Sequence, residues 1–393
     1  MQESDAQISA EENLAHTADD GSDESTGTEL LTTGSGDVSG SGRCDKDSEE
    51  LSAELDLSLL TPRQRAKYER SLNGGGNSPR RLAKAERAEL GKLVKTIHFD
   101  EPMSAHTTLG VGGAAEAFAI VESFKELKDL LSFINEKEIP YYFLGKGSNM
   151  LVRDGGLRGV VVQLAGDFSE IKIVEERDGE VLLSVGAAVS TTKFLRWCNE
   201  EGLFGHEILT GVPGSIGGNV ITNAGTHVGC LADIVEEVTV LDKNIKEMTM
   251  RNKSLRFEYR SCKLPRSTAV LRAIFKLQKG DNAKAKEKFK DLLDCRRETQ
   301  PVAMKSSGCI FKNAGKISAS QLIDESGLKG VRVGKARISE LHANFIVNEG
   351  GATAKDVLVL IHLIKNRVKQ DSGIALDQEV VILGDEKNEQ VEG

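Results

Sequence analysis

An α+β fold with more than one packed part follows from three features of the chain. Between residues 159 and 281, short β-branched runs recur at close spacing around single amphipathic helices. Two glycine-rich segments, 143–152 and 210–225, punctuate that region. After residue 300 the pattern becomes helix, strand, helix, strand, so residues 301–386 read as an α+β unit of their own.

Taken in order, residues 1–56 hold 16 Asp and Glu against only Arg43 and Lys46. With almost nothing apolar to bury, they are expected to form a disordered acidic tail. SLLTPRQRAKYERS places Thr61 as a helix cap with Pro62 in the first turn, and SPRRLAKAERAELGKLVK follows the glycine break at 74–76 as a second helix. Residues 57–95 are therefore expected as a basic, solvated helical extension. Set apart from these two segments, the remainder of the chain is nearly neutral, although the formal net charge is -9.

A compact domain is expected from residue 96. SFKELKDLLSFINEKE (123–138) has helical spacing and leads through IPYYFLG into a glycine turn, and GVVVQL (159–164) reads as a strand. These define a first subdomain, 96–165. The strands IKIVEE, VLLSVGAA, IVEEVTVLD and STAVLRAIFKLQKGD, with the helix TTKFLRWCNEEG ending at Gly202, define a second, 166–283. KAKEKFKDLLDCRR makes 284–300 a connecting amphipathic helix that contains Cys295, and 301–393 forms the last domain.

Several function classes are excluded by what these residues do not do. The cysteines at 44, 198, 230, 262, 295 and 309 show no CxxC spacing, and the seven histidines form neither HxH nor HxxxH, so no metal site is expected. The N-terminus lacks a basic and apolar leader and no run approaches 18 apolar residues. A cytoplasmic setting with free thiols and no membrane span is the expectation. Basic residues in the extension lack aromatic interleaving, so no obligate nucleic-acid partner is expected and the extension's partner is left unassigned.

Two stretches invite an anionic ligand. FLGKGSNMLV (143–152) sets Gly145 and Gly147 beside Ser148 and Asn149, a pattern that serves a hairpin turn or a phosphate cradle equally well. It is neither GxGxxG nor GxxxxGK[ST]. TGVPGSIGGNVITNAG (210–225) holds five glycines in sixteen residues, more than turns alone explain, and two separated glycine segments can hold one pyrophosphate cofactor. His106, before GVGGAAE, serves either a ligand or the fold. In FEYRSCKL, Arg260 needs a carboxylate or phosphate partner, and DQEVVILG puts Glu379 at the mouth of an apolar strand. Cys309, in KSSGCIFKN, is either a buried space-filling thiol or a group that handles a proton.

HTTLGVGG (106–113), GKGSNMLVRDGGLRGVVVQL (145–164), TGVPGSIGGNVITNAG (210–225), YR (259–260), SSGCIFKN (306–313) and EVVILG (379–384) stand in an order that resembles the UDP-N-acetylenolpyruvoylglucosamine reductase family. The resemblance covers residues 96–386 and implies a vanillyl-alcohol-oxidase-type, two-part FAD-binding fold with a C-terminal substrate-binding domain. It implies reduction of UDP-N-acetylglucosamine enolpyruvate to UDP-N-acetylmuramate for peptidoglycan synthesis, with NADPH as hydride-donating cosubstrate, hydride added at C3 and a proton at C2. A rival reading is another FAD-dependent oxidoreductase of the same cofactor fold, such as an alcohol or sugar oxidase.

Carried residue by residue, the resemblance implies Arg260, Cys309 and Glu379 as catalytic. Cys309 stands where the family usually has a proton-donating Ser. It implies Gly145, Lys146, Gly147, Ser148, Asn149, Gly211, Pro213, Gly214, Ser215, Gly218, Asn219, Asn223 and Gly225 as FAD-binding, and Tyr259, Lys312 and Asn313 as substrate-binding. A thiol is a stronger acid than an alcohol, so the exchange is chemically coherent provided the thiol stays protonated. Arg260 favours thiolate and Glu379 opposes it. The short interval between Arg260 and Cys309 resembles the type II form, here with an unusual acidic extension. His227, Cys230 and Val381 depart from the usual Tyr, Glu and Arg.

Overall fold

The computed structural model describes residues 80–265, 268–280 and 282–386. The acidic tail and the first of the two basic helices lie outside the described residues.

The first sheet is built from β1 (Thr96–Pro102), β2 (Ala114–Val121), β3 (Tyr141–Leu144) and β5 (Leu157–Leu164), in the order β1-β2-β5-β3; β4 (Met150–Val152) follows the glycine turn. β1 runs antiparallel to β2, and β5 runs parallel to both β2 and β3. Parallel pairing needs a covered face, and the helix Phe124–Glu136 supplies it with Leu127, Leu130, Leu131 and Ile134. Ser123 caps that helix by accepting from the Glu126 amide.

The helix Lys84–Leu93 corrects the expected boundary at residue 96. Leu82, Leu90 and Val94 are buried in the same core as Leu127, Leu130 and Ile134, and Arg87 pairs with Asp100 at 2.7 Å. A narrow apolar stripe under a basic surface made this helix read as solvated. The first packed layer includes Leu82, and the described part of the extension is not solvated on all sides.

The second sheet is antiparallel, in the order β12-β11-β15-β7-β6, from β6 (Ile171–Arg177), β7 (Glu180–Gly186), β11 (Val235–Leu241), β12 (Glu247–Arg251) and β15 (Ala269–Lys279). β8 (Leu203–Phe204) adds to the end of β15. Helices Thr191–Glu200 and Ile216–Thr222 pack on this layer around Phe194, Ile216, Val220 and Phe275. Two very short pairs project from it: β9 (Gly225–Thr226) with β10 (Gly229–Cys230), and β13 (Phe257–Glu258) with β14 (Ser261–Cys262).

Helix Asn282–Thr299 leads to the third sheet, β16-β19-β18-β17, from β16 (Lys305–Cys309), β17 (Arg332–Val333), β18 (Ala336–Ile338) and β19 (Phe345–Asn348). The long helix Ala354–Ser372 covers it. Thr353 and Asp356 cap that helix reciprocally, and left-handed Gly373 ends it.

The last strand corrects a second boundary. β20 (Val381–Leu383) pairs in parallel with β4, Ile382 opposite Leu151, rather than with the third sheet. Arg158 reaches Asp385 at 3.0 Å, and the Gly155 amide donates to the Asp385 carbonyl. The C-terminal segment therefore closes back onto the first layer, a pairing across some 230 residues that local composition does not encode.

Candidate active site

A cavity of about 670 Å³ is walled by all three layers. Its first wall is the turn between β3 and β4. Gly147 has φ +61, and a Cβ there would lie 2.1 Å from the His106 carbonyl oxygen. A Cβ on Gly145 would lie 2.4 Å from Ser215 Oγ, and one on Gly214 would lie 3.0 Å from Ser148 Oγ. The two glycine-rich segments thus face each other at a separation that side chains would close. Asn219 donates to Thr191 Oγ1 at 2.8 Å, which ties the second segment to the neighbouring helix.

Of the residues expected at a cofactor, Gly145, Lys146, Gly147, Ser148, Asn149, Pro213, Gly214, Ser215, Gly218, Asn219 and Gly225 line the cavity. Gly211 and Asn223 do not. At Gly211, φ is +70 and a Cβ would strike Arg296 Cδ at 2.4 Å, so its freedom serves an arginine. Asn223 ends the helix Ile216–Thr222 in the left-handed region and bonds Glu258 and Ala232, a fold-holding role. His106 also serves the fold: it meets Glu101 at 2.8 Å and stacks on Phe118 at 4.0 Å.

Narrow glycine-lined walls with hydroxyl, amide and backbone N–H donors suit a diphosphate. A second cavity of about 200 Å³ shares Gly145, Lys146, Ser215 and Gly218, so the cleft continues past the glycines. On that geometry the residues present fit an extended dinucleotide such as FAD.

At the far wall Arg260, Cys309 and Glu379 come together. Arg260 sits in the turn between β13 and β14 at φ +54, a left-handed conformation costly for a non-glycine residue. Its Nη1 donates to the Gly225 carbonyl at 2.9 Å, and its Nε lies 3.4 Å from Glu379 Oε1. Cys309 ends β16 opposite Phe345, after a register shift between Ser306 and Cys309 in which Gly308 takes φ +75. The bulge turns the thiol toward the cavity. Asn344 grips Phe311 through both its amide and its carbonyl, which fixes the chain just beyond Cys309.

Backbone bonds join these walls. The Glu379 amide donates to the Ile310 carbonyl at 2.8 Å, Asn149 Nδ2 to the Glu379 carbonyl at 3.3 Å, and the Val381 amide to the Asn149 carbonyl at 3.0 Å. The glycine turn, the carboxylate and the residue after Cys309 are thereby one hydrogen-bonded unit.

Burial, helped by the Glu379 charge and opposed by Arg260 and Arg296, pushes the Cys309 thiol up to about 12. Burial also raises the Glu379 carboxyl, against Arg260 and Lys312. The thiol is held in its neutral form.

The expected substrate residues divide. Asn313 lines the cavity and accepts from the Ala319 amide at 3.0 Å. Tyr259 does not line it: the ring is 56% exposed and lies 5.6 Å from the Arg260 guanidinium. Lys312 is also outside the lining, acting on the site only through its charge near Glu379. Among the departures, His227 and Val381 line the cavity and Cys230 does not.

Sequence reasoning missed four lining residues. Thr210 Oγ1, Ser307 Oγ, Arg296 Nε and His342 Nδ1 are buried atoms without a hydrogen-bond partner, all on residues that line this cavity. Arg296 was legible only as one of two adjacent arginines on an amphipathic helix. Burial holds the His342 imidazole below its ordinary range. Among the described residues, no His, Cys, Asp and Glu cluster is arranged to hold a metal, and no helix is long and apolar enough to cross a membrane.

Comparison with known proteins places this architecture. Residues 300–383 match the model for the C-terminal domain of UDP-N-acetylenolpyruvoylglucosamine reductase, and residues 115–248 match an FAD binding domain. The reductase of Syntrophus aciditrophicus is 40% identical over 290 residues, covering 74% of this chain and 93% of its own. That of Bacillus pumilus is 36% identical over 301 residues, covering 76% and 96%. The crystal structure of the Thermus caldophilus reductase superposes with a TM-score of 0.63 at 36% identity, covering 74% of this chain and 98% of that one. With an FAD binding domain followed by the reductase C-terminal domain, and with relatives matched over more than nine-tenths of their own length, the chain belongs to the UDP-N-acetylenolpyruvoylglucosamine reductase family.

Proposed function

We propose that the chain reduces the enolpyruvyl group of UDP-N-acetylglucosamine enolpyruvate to the lactyl ether of UDP-N-acetylmuramate, with Cys309 as proton donor. The observation that carries this reading is the convergence of Cys309, Arg260 and Glu379 on a cavity whose other wall is two opposed glycine segments. FAD, when bound there, would supply the hydride that is added to C3 of the substrate, with NADPH as the source of that hydride. Backbone and side-chain donors of residues 145–149 and 214–219 would hold the cofactor diphosphate.

Negative charge then accumulates on C2 and its carboxylate. Cys309 Sγ–H donates its proton to C2, which completes the new C–H bond, and the thiolate takes a proton from solvent before the next turnover. Arg260 stabilises the developing enolate and, afterwards, the thiolate. Glu379 orients Arg260 by the 3.4 Å pair and adds to burial in keeping the resting thiol protonated. Asn313 contacts the substrate from the cavity wall, while Tyr259 and Lys312 act through Arg260 and Glu379. The chain is read as a type II form that works in the cytoplasm.

The test is anaerobic. NADPH should bleach the bound flavin, and UDP-N-acetylglucosamine enolpyruvate should restore its absorbance with formation of one UDP-N-acetylmuramate per flavin. No anaerobic response to the enolpyruvyl compound, with reoxidation only once oxygen is admitted, would favour an oxidase and sink the assignment.

A further inference from the structure

We propose that Arg296 binds the carboxylate of the enolpyruvyl substrate, beside the proton donor; this rests on the reading of the reaction given above. Arg296 comes from the last turn of the helix Asn282–Thr299 and lines the cavity with Cys309. Its side chain crosses the backbone at Gly211, where a Cβ would lie 2.4 Å from its Cδ and 2.8 Å from its Nε. A left-handed glycine is therefore what admits the guanidinium to the site.

The partners of this guanidinium are all neutral. Nη1 donates to the Thr210 carbonyl at 3.3 Å and Nη2 to Gln300 Oε1 at 2.7 Å, while the buried Nε has no acceptor. Its sequence neighbour Arg297 is exposed and pairs with Asp294, and Arg260 has Glu379. Among the described residues no carboxylate pairs with Arg296. A half-buried cation with neutral partners and an unused N–H calls for an anion from outside the fold.

Its position says which anion. Arg260, Arg296 and Glu379 line one cavity with Cys309 and are the charges that act on its thiol. Two guanidinium groups thus face one carboxylate around the proton donor. The carbon that Cys309 protonates bears the substrate's carboxylate, so that group must enter this positive region. The uridine diphosphate is the competing anion, farther from C2 along the substrate.

The test uses the full-length FAD-loaded protein and reads ligand-induced changes in flavin absorbance. UDP-N-acetylmuramate carries the carboxylate, and UDP-N-acetylglucosamine carries the same diphosphate without it. R296M should weaken UDP-N-acetylmuramate binding on the order of 10- to 100-fold, the loss of a charge-assisted bond. UDP-N-acetylglucosamine binding should stay within about twofold of the parent. R296K should recover part of the loss. Equal losses for both ligands would assign Arg296 to the diphosphate, and no loss for either would assign it to the fold; each outcome overturns the proposal. Should R296M fail to retain FAD, Q300L carries the same test, because it removes the acceptor that positions Nη2 without removing the charge: a smaller loss confined to UDP-N-acetylmuramate supports the proposal, and an equal loss or none overturns it. A parent protein that binds neither ligand fails at the level of the reaction itself, a result distinct from one in which parent and R296M discriminate equally.

Discussion

Replacing Cys309 by alanine tests the chemistry most directly. With its thiol pushed up to about 12, Cys309 carries thiolate in roughly one molecule in 10⁴ at pH 8. The proton that the proposed step draws from Cys309 is therefore present throughout the ordinary working range, and ionisation of this group should impose no high-pH limb below about pH 11. Removing a positioned general acid lowers rates by about 10²- to 10⁴-fold, or roughly 3–5 kcal/mol on the barrier. In a single turnover, reduced C309A mixed with the enolpyruvyl substrate should form UDP-N-acetylmuramate slower by that factor, with flavin content unchanged. C309S should lose less than C309A, because a hydroxyl at the same position keeps a transferable proton even though, buried alike, it remains the weaker acid. An independent readout is alkylation, which needs thiolate. A free cysteine titrates near 8.5, so Cys309 should react with iodoacetamide at pH 8 about 10³-fold more slowly. C309A turning over at the parent rate, or Cys309 reacting as fast as a free thiol in the folded protein, would refute the reasoning.

Three further outcomes follow from particular contacts. E379Q removes the charge that raises the Cys309 thiol while Arg260 and Arg296 continue to lower it, so the thiol should ionise at lower pH and alkylate faster at pH 8; an unchanged alkylation profile contradicts the assigned coupling. G147A forces a Cβ to 2.1 Å from the His106 carbonyl at φ +61, and the purified protein should show a lower flavin-to-protein absorbance ratio than the parent. L90A opens the core shared by the helices Lys84–Leu93 and Phe124–Glu136, at a cost of about 2–5 kcal/mol and a fall in Tm of several degrees, with flavin binding retained at low temperature. Parent-like melting of L90A would return that helix to the surface.

What was legible in the sequence was local. The helix capped by Ser123, the β-branched run of β15 and the two glycine segments each announce themselves within a dozen residues. Even Cys309 was placed by a short motif. Partners at long range were not legible. VVIL reads as a strand, but nothing in it names β4 as its neighbour, and Gly211 reads as one more glycine of a ligand loop until Arg296 is seen lying across it. The helix Lys84–Leu93 reads as solvated because its charged residues outnumber its one fully buried side chain, Leu90, with Leu82 and Val94 lying just beyond its two ends. Arg296 was overlooked for a related reason: adjacent arginines at a helix end are usually surface residues, and only the fold sends one inward and leaves the other beside Asp294.

The return of β20 to β4 also explains why three distant residues can act as one site. A general acid works only if its proton, the stabilising cation and the hydride source keep fixed relative positions. Cys309 belongs to the third sheet, Arg260 to a hairpin on the second and the glycine turn to the first. Left to side-chain contacts, such an arrangement would drift with every motion between layers. Glu379 removes that freedom through its backbone, donating to Ile310 on one side and accepting from Asn149 on the other, while its carboxylate reaches Arg260. The residue whose charge helps raise the Cys309 thiol is therefore also the joint between the glycine-turn wall and the Cys309 wall. A substitution that preserves its charge but disturbs the β20 pairing, such as Ile382→Pro, should misalign Cys309 and the flavin together. E379Q, by contrast, leaves the joint intact and changes the electrostatics. Comparing the two variants separates geometry from charge: I382P should lower flavin retention and turnover in parallel, whereas E379Q should lower turnover with flavin retained, and loss of flavin in E379Q would show that charge rather than backbone holds the walls together.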